Sequence, residues 1–431
     1  MVDIAPLCPL RYDPSVLPRV VAPPYDVIDG TLRAELALRD PHNVVHIDLP
    51  EGEGSARYAH AHELFELWQK QGVLVRDARH AYWRFAQTFT PPGGGAPIER
   101  RGFFAAVRAT PFSERAVLPH ELTLSGPKLD RLELGRATRA ALSPQFMLYP
   151  DPDHRLEAAL DSGEPFAEFT TDDGVRQRLW LVSGREQIAS ITSALATSTL
   201  LIADGHHRYE TAVALAQEID AQGARRSNRA EHLFTPALLV NEDDPSLVVY
   251  PTHRLVHSLA RFDFDRLLES ARELFDVQPV SGDSVALVSA LAATEGKAVC
   301  AVAPGGRAAL LVLRDDVDRA AHPVLGKRPD VLRDAAVVLL HDGLLEHVLG
   351  ITPAAQAARE NLIYVQDPHE GIDRLERGEG QVLFLMNPTP VSTIRRVAEA
   401  GETMPQKSTF FYPKVPTGLF FHTLHPDRDL T

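Results

Sequence analysis

Ala203-Asp204-Gly205-His206-His207-Arg208-Tyr209-Glu210 gathers an acid, a glycine, two imidazoles and a guanidinium within five consecutive positions. An apolar run, Thr199 to Ala203, leads into it, and an amphipathic stretch follows, so the order reads as strand, tight turn, helix. The start of a helix presents backbone N–H groups and the positive end of the peptide dipole. A glycine there admits a close-approaching anion, and an arginine can fork onto a phosphate or carboxylate. Gly205, His206, His207 and Arg208 therefore read as an anion site. The competing reading is structural: Asp204 only caps the helix, Arg208 makes a surface ion pair, and the histidines are solvated or packed.

Other segments carry compatible groups. His120-Glu121 and His253-Arg254 pair an imidazole with a charge, and Met404-Pro405-Gln406-Lys407-Ser408-Thr409 runs on through Phe410-Phe411-Tyr412 to Pro413-Lys414. Of the 44 basic residues only Lys70, Lys128, Lys297, Lys327, Lys407 and Lys414 are lysines, so two of the six fall in this one segment, where a compact ammonium is favoured over a guanidinium. Phosphate handling accounts for the set. Arg208, Arg254, Lys407 and the Ser408 and Thr409 hydroxyls supply charge and donors, while Asp26, Glu121, Asp130 and Asp204 can hold Mg²⁺ or accept a proton. A P-loop, a His-Glu-x-x-His zinc site, a kinase-type glycine loop and a Gly-x-Ser-x-Gly elbow are all absent from the sequence. His341-Asp342 lies on an apolar helical stretch and reads as structural.

The chain that must position these groups has 431 residues, 44% of them hydrophobic and 24% charged, enough for a substantial core in two or three domains or one elaborated α/β unit. A formal net charge of −14 argues against a protein that coats nucleic acid. Cys8 and Cys300 have no paired spacing, which excludes a disulfide framework or zinc ribbon and fits a reducing cytosol. No signal pattern or membrane-length apolar run occurs, so the expected protein is soluble and cytoplasmic.

Periodicity predicts strands at 43–49, 82–89, 103–107, 145–149, 179–182, 235–240, 247–250, 298–303, 308–313, 362–365 and 382–386. Helices are expected at 55–71, 186–196, 208–219 and 391–399. The runs at 82–89 and 103–107 form a long hairpin across Pro91-Pro92-Gly93-Gly94-Gly95, and those at 235–240 and 247–250 a second one. The polar stretch between 116 and 144 reads as a functional loop, and 151–176 as a Pro/Asp/Gly-rich passage. The fold class is mixed α/β, organised as an N-terminal α/β region over 1–255, a helix-rich subdomain over 256–350, and a C-terminal segment over 351–431 that packs back on the first.

Pro23-Pro24-Tyr25-Asp26-Val27, His120-Glu121-x-Thr123, Asp130-Arg131, the Ala203–Glu210 turn and Met404-Pro405-x-Lys407-Ser408-Thr409 through Pro413-Lys414 together resemble the prokaryotic domain-of-unknown-function family numbered 1015, over essentially the whole chain. The Asp-Gly-His-His-Arg turn also resembles the phosphate-binding signature of the ParB/sulfiredoxin superfamily, which includes CTP-hydrolysing partition proteins, ATP-using sulfiredoxins and kinases of free serine. His206 stands where the sulfiredoxin thiol would be, which disfavours redox chemistry. The acidic chain likewise disfavours DNA partitioning.

That resemblance implies a ParB/sulfiredoxin-like nucleotide-binding unit within a larger multi-layer chain. Its activity would be a nucleotide-dependent phosphotransferase using ATP or ADP with Mg²⁺ on a small hydroxyl metabolite, free serine first. Glu121, Asp204 and His206 are the catalytic candidates. Gly205, His206, His207, Arg208, Arg254, Lys407, Ser408 and Thr409 are candidates for the phosphates, and Asp204 and Glu121 for the metal. Tyr25, Asp26, His120, Thr123, Asp130, Arg131, His253 and Lys414 would support the substrate or the site. The rivals are a phosphohydrolase with water as acceptor, and a non-catalytic nucleotide-binding regulator. The expected partners are the nucleotide and a small-molecule substrate, without nucleic acid or membrane, and a homodimer is left open.

Overall fold

In the two runs after residue 80, large apolar side chains such as Trp83, Phe85 and Phe89 recur with a period of two, which places them on one face of a strand. In the computed structural model, which describes residues 1–91, 94–121, 123, 125–223, 227–294 and 297–430, these runs are β2 (Tyr82–Phe89) and β3 (Ile98–Arg108), paired antiparallel with Trp83 opposite Phe104 and Gln87 opposite Arg100. Positions 92 and 93 of the expected connection lie outside the described residues. The chain divides into two units. The first comprises Met1–Pro119, Thr123–Leu247 and Pro413–Thr431, and the second His120–Leu122 and Val248–Tyr412.

The sheet of the first unit adds β1 (Ile4–Ala5), β4 (Val117–Leu118), β5 (Gln145–Tyr149), β6 (Ala167–Thr170), β7 (Arg176–Val182), β8 (Leu200–Asp204) and β9 (Phe234–Asn241). Its order is β4-β8-β5-β9-β3-β2-β7-β6, with β1 also on β3. The β8–β4 and β9–β5 pairs are parallel, and β8 pairs antiparallel with β5 through an irregularity between Ile202 and Asp204. One face carries Tyr82, Phe103, Met147, Ile202 and Leu239, packed against Ile191 and Leu195 and against Tyr209. The longer helices are α1 (Gly30–Arg39), α2 (Ala56–Lys70), α3 (Ser125–Thr138), α4 (Arg185–Leu195) and α5 (His206–Ala221), with α3 packed between α2 and α5. Asp29 caps α1 by accepting the Leu32 N–H at 2.8 Å.

The second unit holds a six-stranded antiparallel sheet of β10 (His253–Val256), β11 (Phe275–Val280), β12 (Ala298–Ala303), β13 (Arg307–Leu313), β14 (Leu362–Val365) and β15 (Val382–Met386), in the order β11-β13-β12-β15-β10-β14. Leu255, Cys300, Leu310 and Leu383 form its core with Leu287 and Leu291 of α7 (Ser284–Ala292), which follows α6 (Phe264–Ala271), and Leu375 of α8 (Pro368–Glu376). The helix expected at 391–399 is α9 (Val391–Glu399).

The architecture is mixed α/β, as expected. The expected boundaries at 255 and 350 do not divide it, because β10 pairs with both β14 and β15 and one sheet draws on both sides of residue 350. In the 256–350 region β11 joins the two strands anticipated there, alongside helices Phe264–Ala271, Ser284–Ala292 and Leu339–Val348. Three local readings also change. Residues Val45–Asp48 are a short helix, because the Asn43 carboxamide accepts the Val45 N–H at 3.0 Å and starts a turn within the apolar run. The strand Val248–Tyr250 pairs with Phe410–Tyr412, not with β9. The polar stretch before residue 144 contains α3, whose 128–137 segment is rich in helix-favouring Leu, Arg and Glu. Among the described residues no helix is long and apolar enough to cross a membrane, and both cysteines are free thiols.

Candidate functional site

The turn that ends β8 leaves it through Gly205 in the left-handed region, φ +94°, and α5 starts at His206. A Cβ at residue 205 would lie 3.0 Å from the Arg208 guanidinium, so glycine is needed for contact as well as for conformation. Arg208 is folded beneath the turn. Its Nη2 donates to Asp204 Oδ2 at 2.5 Å, and its Nη1 to Ser143 Oγ at 2.9 Å and to the Pro144 carbonyl. It is buried, and these internal bonds make it a brace between β8 and the Ser143–Pro144 corner, not the exposed phosphate fork expected from the sequence.

The second Asp204 oxygen, Oδ1, accepts from Lys414 Nζ at 2.7 Å. The pair is partly exposed, with 17% and 18% of the two side chains accessible. Lys414 is held in place through its main chain: Gln87 Nε2 donates to its carbonyl at 3.1 Å, and Arg100 Nη2 donates to the Pro413 carbonyl at 2.6 Å. Arg100 also donates to Gln87 Oε1, and its guanidinium lies 4.5 Å from the Phe146 ring centroid. The sequence reading missed Arg100 and Gln87. The available signal was two polar residues facing each other in registers otherwise occupied by Trp83, Phe85 and Phe104.

Asp204 thus holds a cation on each of its oxygens, Arg208 on Oδ2 and Lys414 on Oδ1. Among the described residues, Glu273, His322 and His347 have ligand-type atoms within 4.8 Å of one another. His322 Nδ1, however, accepts the Val324 and Leu325 N–H groups at 3.3 and 3.2 Å, so its neutral ring carries the proton on the Nε2 that faces Glu273.

Two more sequence-flagged segments meet the turn from within the first unit. Arg131 lies over the Tyr25 ring at 4.5 Å and binds the buried Asp48 carboxylate at 3.1 Å and Asp130 at 2.6 Å. Asp130 in turn accepts from Arg57 at 2.6 Å and from the Tyr58 hydroxyl at 2.8 Å. Burial pushes the Tyr25 phenol up to about 12 against the pull of Arg208 and Arg131. Tyr25, Asp48, Arg131, Ser143 and Arg208 line a cavity of about 50 Å³, room for a few waters and too little for a nucleotide. Asp26 is exposed, and Thr123 lies half-buried ahead of α3.

The remaining candidates assemble in the second unit. His120 Nε2 and Thr409 Oγ1 are 3.0 Å apart, Glu121 Oε1 accepts the Lys407 N–H at 2.9 Å, and the Met404 N–H donates to the His120 carbonyl at 2.8 Å. Lys407 has φ +56°, a strained conformation for a residue with a Cβ, and the Ser408 hydroxyl donates to the Pro405 carbonyl to close the turn. Arg254, fully buried, supports this turn from β10. Its Nη2 donates to the Lys407 carbonyl at 3.0 Å, its Nε to His341 Nε2 at 3.1 Å, and its Nη1 to the Thr252 carbonyl. Burial lowers Arg254 to about 10, His253 to about 4 and His341 to about 3. Arg254, Ser408 and Thr409, expected to bind phosphate, make internal contacts here. The sequence motifs thus separate into two sets, one in each unit.

The sequence profile of the family described as "Protein of unknown function (DUF1015)" matches residues 4–332, and the chain belongs to that family. No curated protein matches it. Among solved structures, a conserved hypothetical protein from Pyrococcus furiosus is similar at 14% identity and TM-score 0.35, over 74% of this chain and 95% of its own. A free serine kinase in complex with AMP is similar at 12% and 0.36, over 74% and 92%. SbnI with C-terminal truncation from Staphylococcus aureus is similar at 10% and 0.39, over 76% and 90%. Superpositions this loose carry no argument about chemistry.

Proposed function

We propose that this family member is a nucleotide-dependent phosphotransferase whose nucleotide phosphates sit at the start of α5, with a small hydroxyl metabolite, free serine first, as acceptor. The observation that carries the reading is the Lys414 ammonium fixed 2.7 Å from Asp204 beside a glycine-opened helix start. A phosphate there meets an ammonium and the positive end of the α5 dipole together. Arg208 acts from below, holding Asp204 so that Lys414 stays at the turn. The phosphoryl group leaves its bridging oxygen as the acceptor oxygen bonds to phosphorus, and the hydroxyl proton passes to a base. His206, first in α5, is assigned that role, since imidazole accepts a proton near neutral pH.

The test uses the full chain with ATP or ADP and serine, product detection by mass spectrometry, and nucleotide affinity by calorimetry. Lys414→Met is expected to weaken ADP binding by about tenfold to a hundredfold, the loss of one or two charge-assisted contacts. Because the Lys414–Asp204 pair is partly exposed, its melting temperature should change little. Unchanged ADP affinity in that variant, or release of inorganic phosphate without a phosphorylated acceptor, overturns the proposal.

A further inference from the structure

A second cavity of the first unit, about 290 Å³, shares Lys414 with the turn. Its walls are apolar and stiff, formed by Pro23, Pro24 and Pro416 with Leu32 and Leu36 of α1, and Arg39 and Asp172 form an ion pair among its lining residues. Gln177 of β7 also lines it and is fully buried. Thr171 Oγ1 donates to Asp173 Oδ1 at 2.7 Å, so it must accept from Gln177 Nε2, 3.1 Å away. That fixes the carboxamide orientation and leaves Gln177 Oε1 as a buried acceptor with no partner. Gln177 is the cross-strand neighbour of Gln87, which holds the Lys414 carbonyl. One polar row thus links the unsatisfied acceptor to the residue whose ammonium stands at Asp204.

Resting on the phosphotransferase reading, we propose that this cavity receives the nucleobase of the bound nucleotide: a planar, amino-bearing ring between the prolines, its exocyclic N–H directed to Gln177 and its phosphates toward Lys414. The volume lies at the lower end of the range for ligand pockets. Rigid apolar walls suit a heterocycle better than a small zwitterion, which would leave them uncovered. An unpaired acceptor favours a base that brings a donor over one that presents a carbonyl at the same edge.

Isothermal calorimetry on the full chain with ADP, inosine diphosphate and inorganic pyrophosphate separates the possibilities. Wild type is expected to bind ADP about tenfold more tightly than inosine diphosphate, the equivalent of one buried hydrogen bond, and both more tightly than pyrophosphate. Gln177→Leu should abolish the preference for ADP over inosine diphosphate. Leu32→Trp, which fills the cavity from a partly exposed position, should bring ADP affinity down to that of pyrophosphate while pyrophosphate binding stays within about twofold, which also shows that the variant is folded. An ADP preference that survives both substitutions overturns the nucleobase assignment and leaves the phosphate turn standing. If wild type binds neither ADP nor pyrophosphate, the phosphotransferase reading falls, and this assignment with it.

Discussion

Replacing Arg208 by methionine distinguishes a structural brace from a ligand contact, because the two roles predict opposite balances of stability and affinity. The substitution keeps an unbranched stem of similar bulk and removes the guanidinium that ties Asp204 to Ser143 and Pro144. Removing one partner of a buried ion pair costs about 3–5 kcal/mol. The lower end applies, since Asp204 keeps Lys414 and 18% of its side chain is exposed. For a folded unit of this size each kcal/mol lowers the melting temperature by about 2–4 °C, so a loss near 3 kcal/mol predicts a fall of roughly 6–12 °C. Thermal unfolding followed by circular dichroism measures the fall, and calorimetry with ADP on the folded variant measures what binding remains. Arg208→Lys should recover little, because one ammonium cannot span Asp204 and the Pro144 carbonyl together. A variant that melts within about 2 °C of wild type yet has lost ADP binding would refute the brace and return Arg208 to the ligand; the small shift is the discriminating quantity.

Gly205→Ala forces a Cβ into the left-handed region and to 3.0 Å from the Arg208 guanidinium, and should cost about 1–3 kcal/mol, read as a lower midpoint in urea; a midpoint equal to wild type would mean the turn does not need glycine. Acid should destabilise the second unit. His253 and His341 are buried as neutral rings with values of about 4 and about 3, below the ordinary 6.5, so between those limits the unfolded chain binds more protons than the folded one and stability falls as pH drops. The slope approaches about 1.4 kcal/mol per pH unit for each ring. His341→Gln should flatten it, as measured by urea midpoints between pH 7 and pH 4, and an unaltered slope would remove His341 from the account.

The strands of both sheets were legible wherever apolar residues ran in blocks or alternated, as at Gln145–Tyr149 and Val382–Met386. The Asp204–Arg208 turn was legible because strand, glycine and helix are consecutive in the chain. What could not be read was direction and partnership. Arg208 and Arg254 look in sequence like any anion-binding arginine, and only the fold decides that Arg208 meets Asp204, the Ser143 hydroxyl and the Pro144 carbonyl, and that Arg254 meets His341 and the Thr252 and Lys407 carbonyls. Nor does spacing along the chain say that Lys407 and Lys414, seven positions apart, belong to different units. The most useful sequence mark is one that periodicity alone discards. Gln87, Arg100 and Gln177 each occupy an inward position of a strand whose other inward positions are apolar. Buried polar side chains persist where hydrogen bonds satisfy them. Two of them hold the Pro413–Lys414 main chain, and the third presents an acceptor still without a donor.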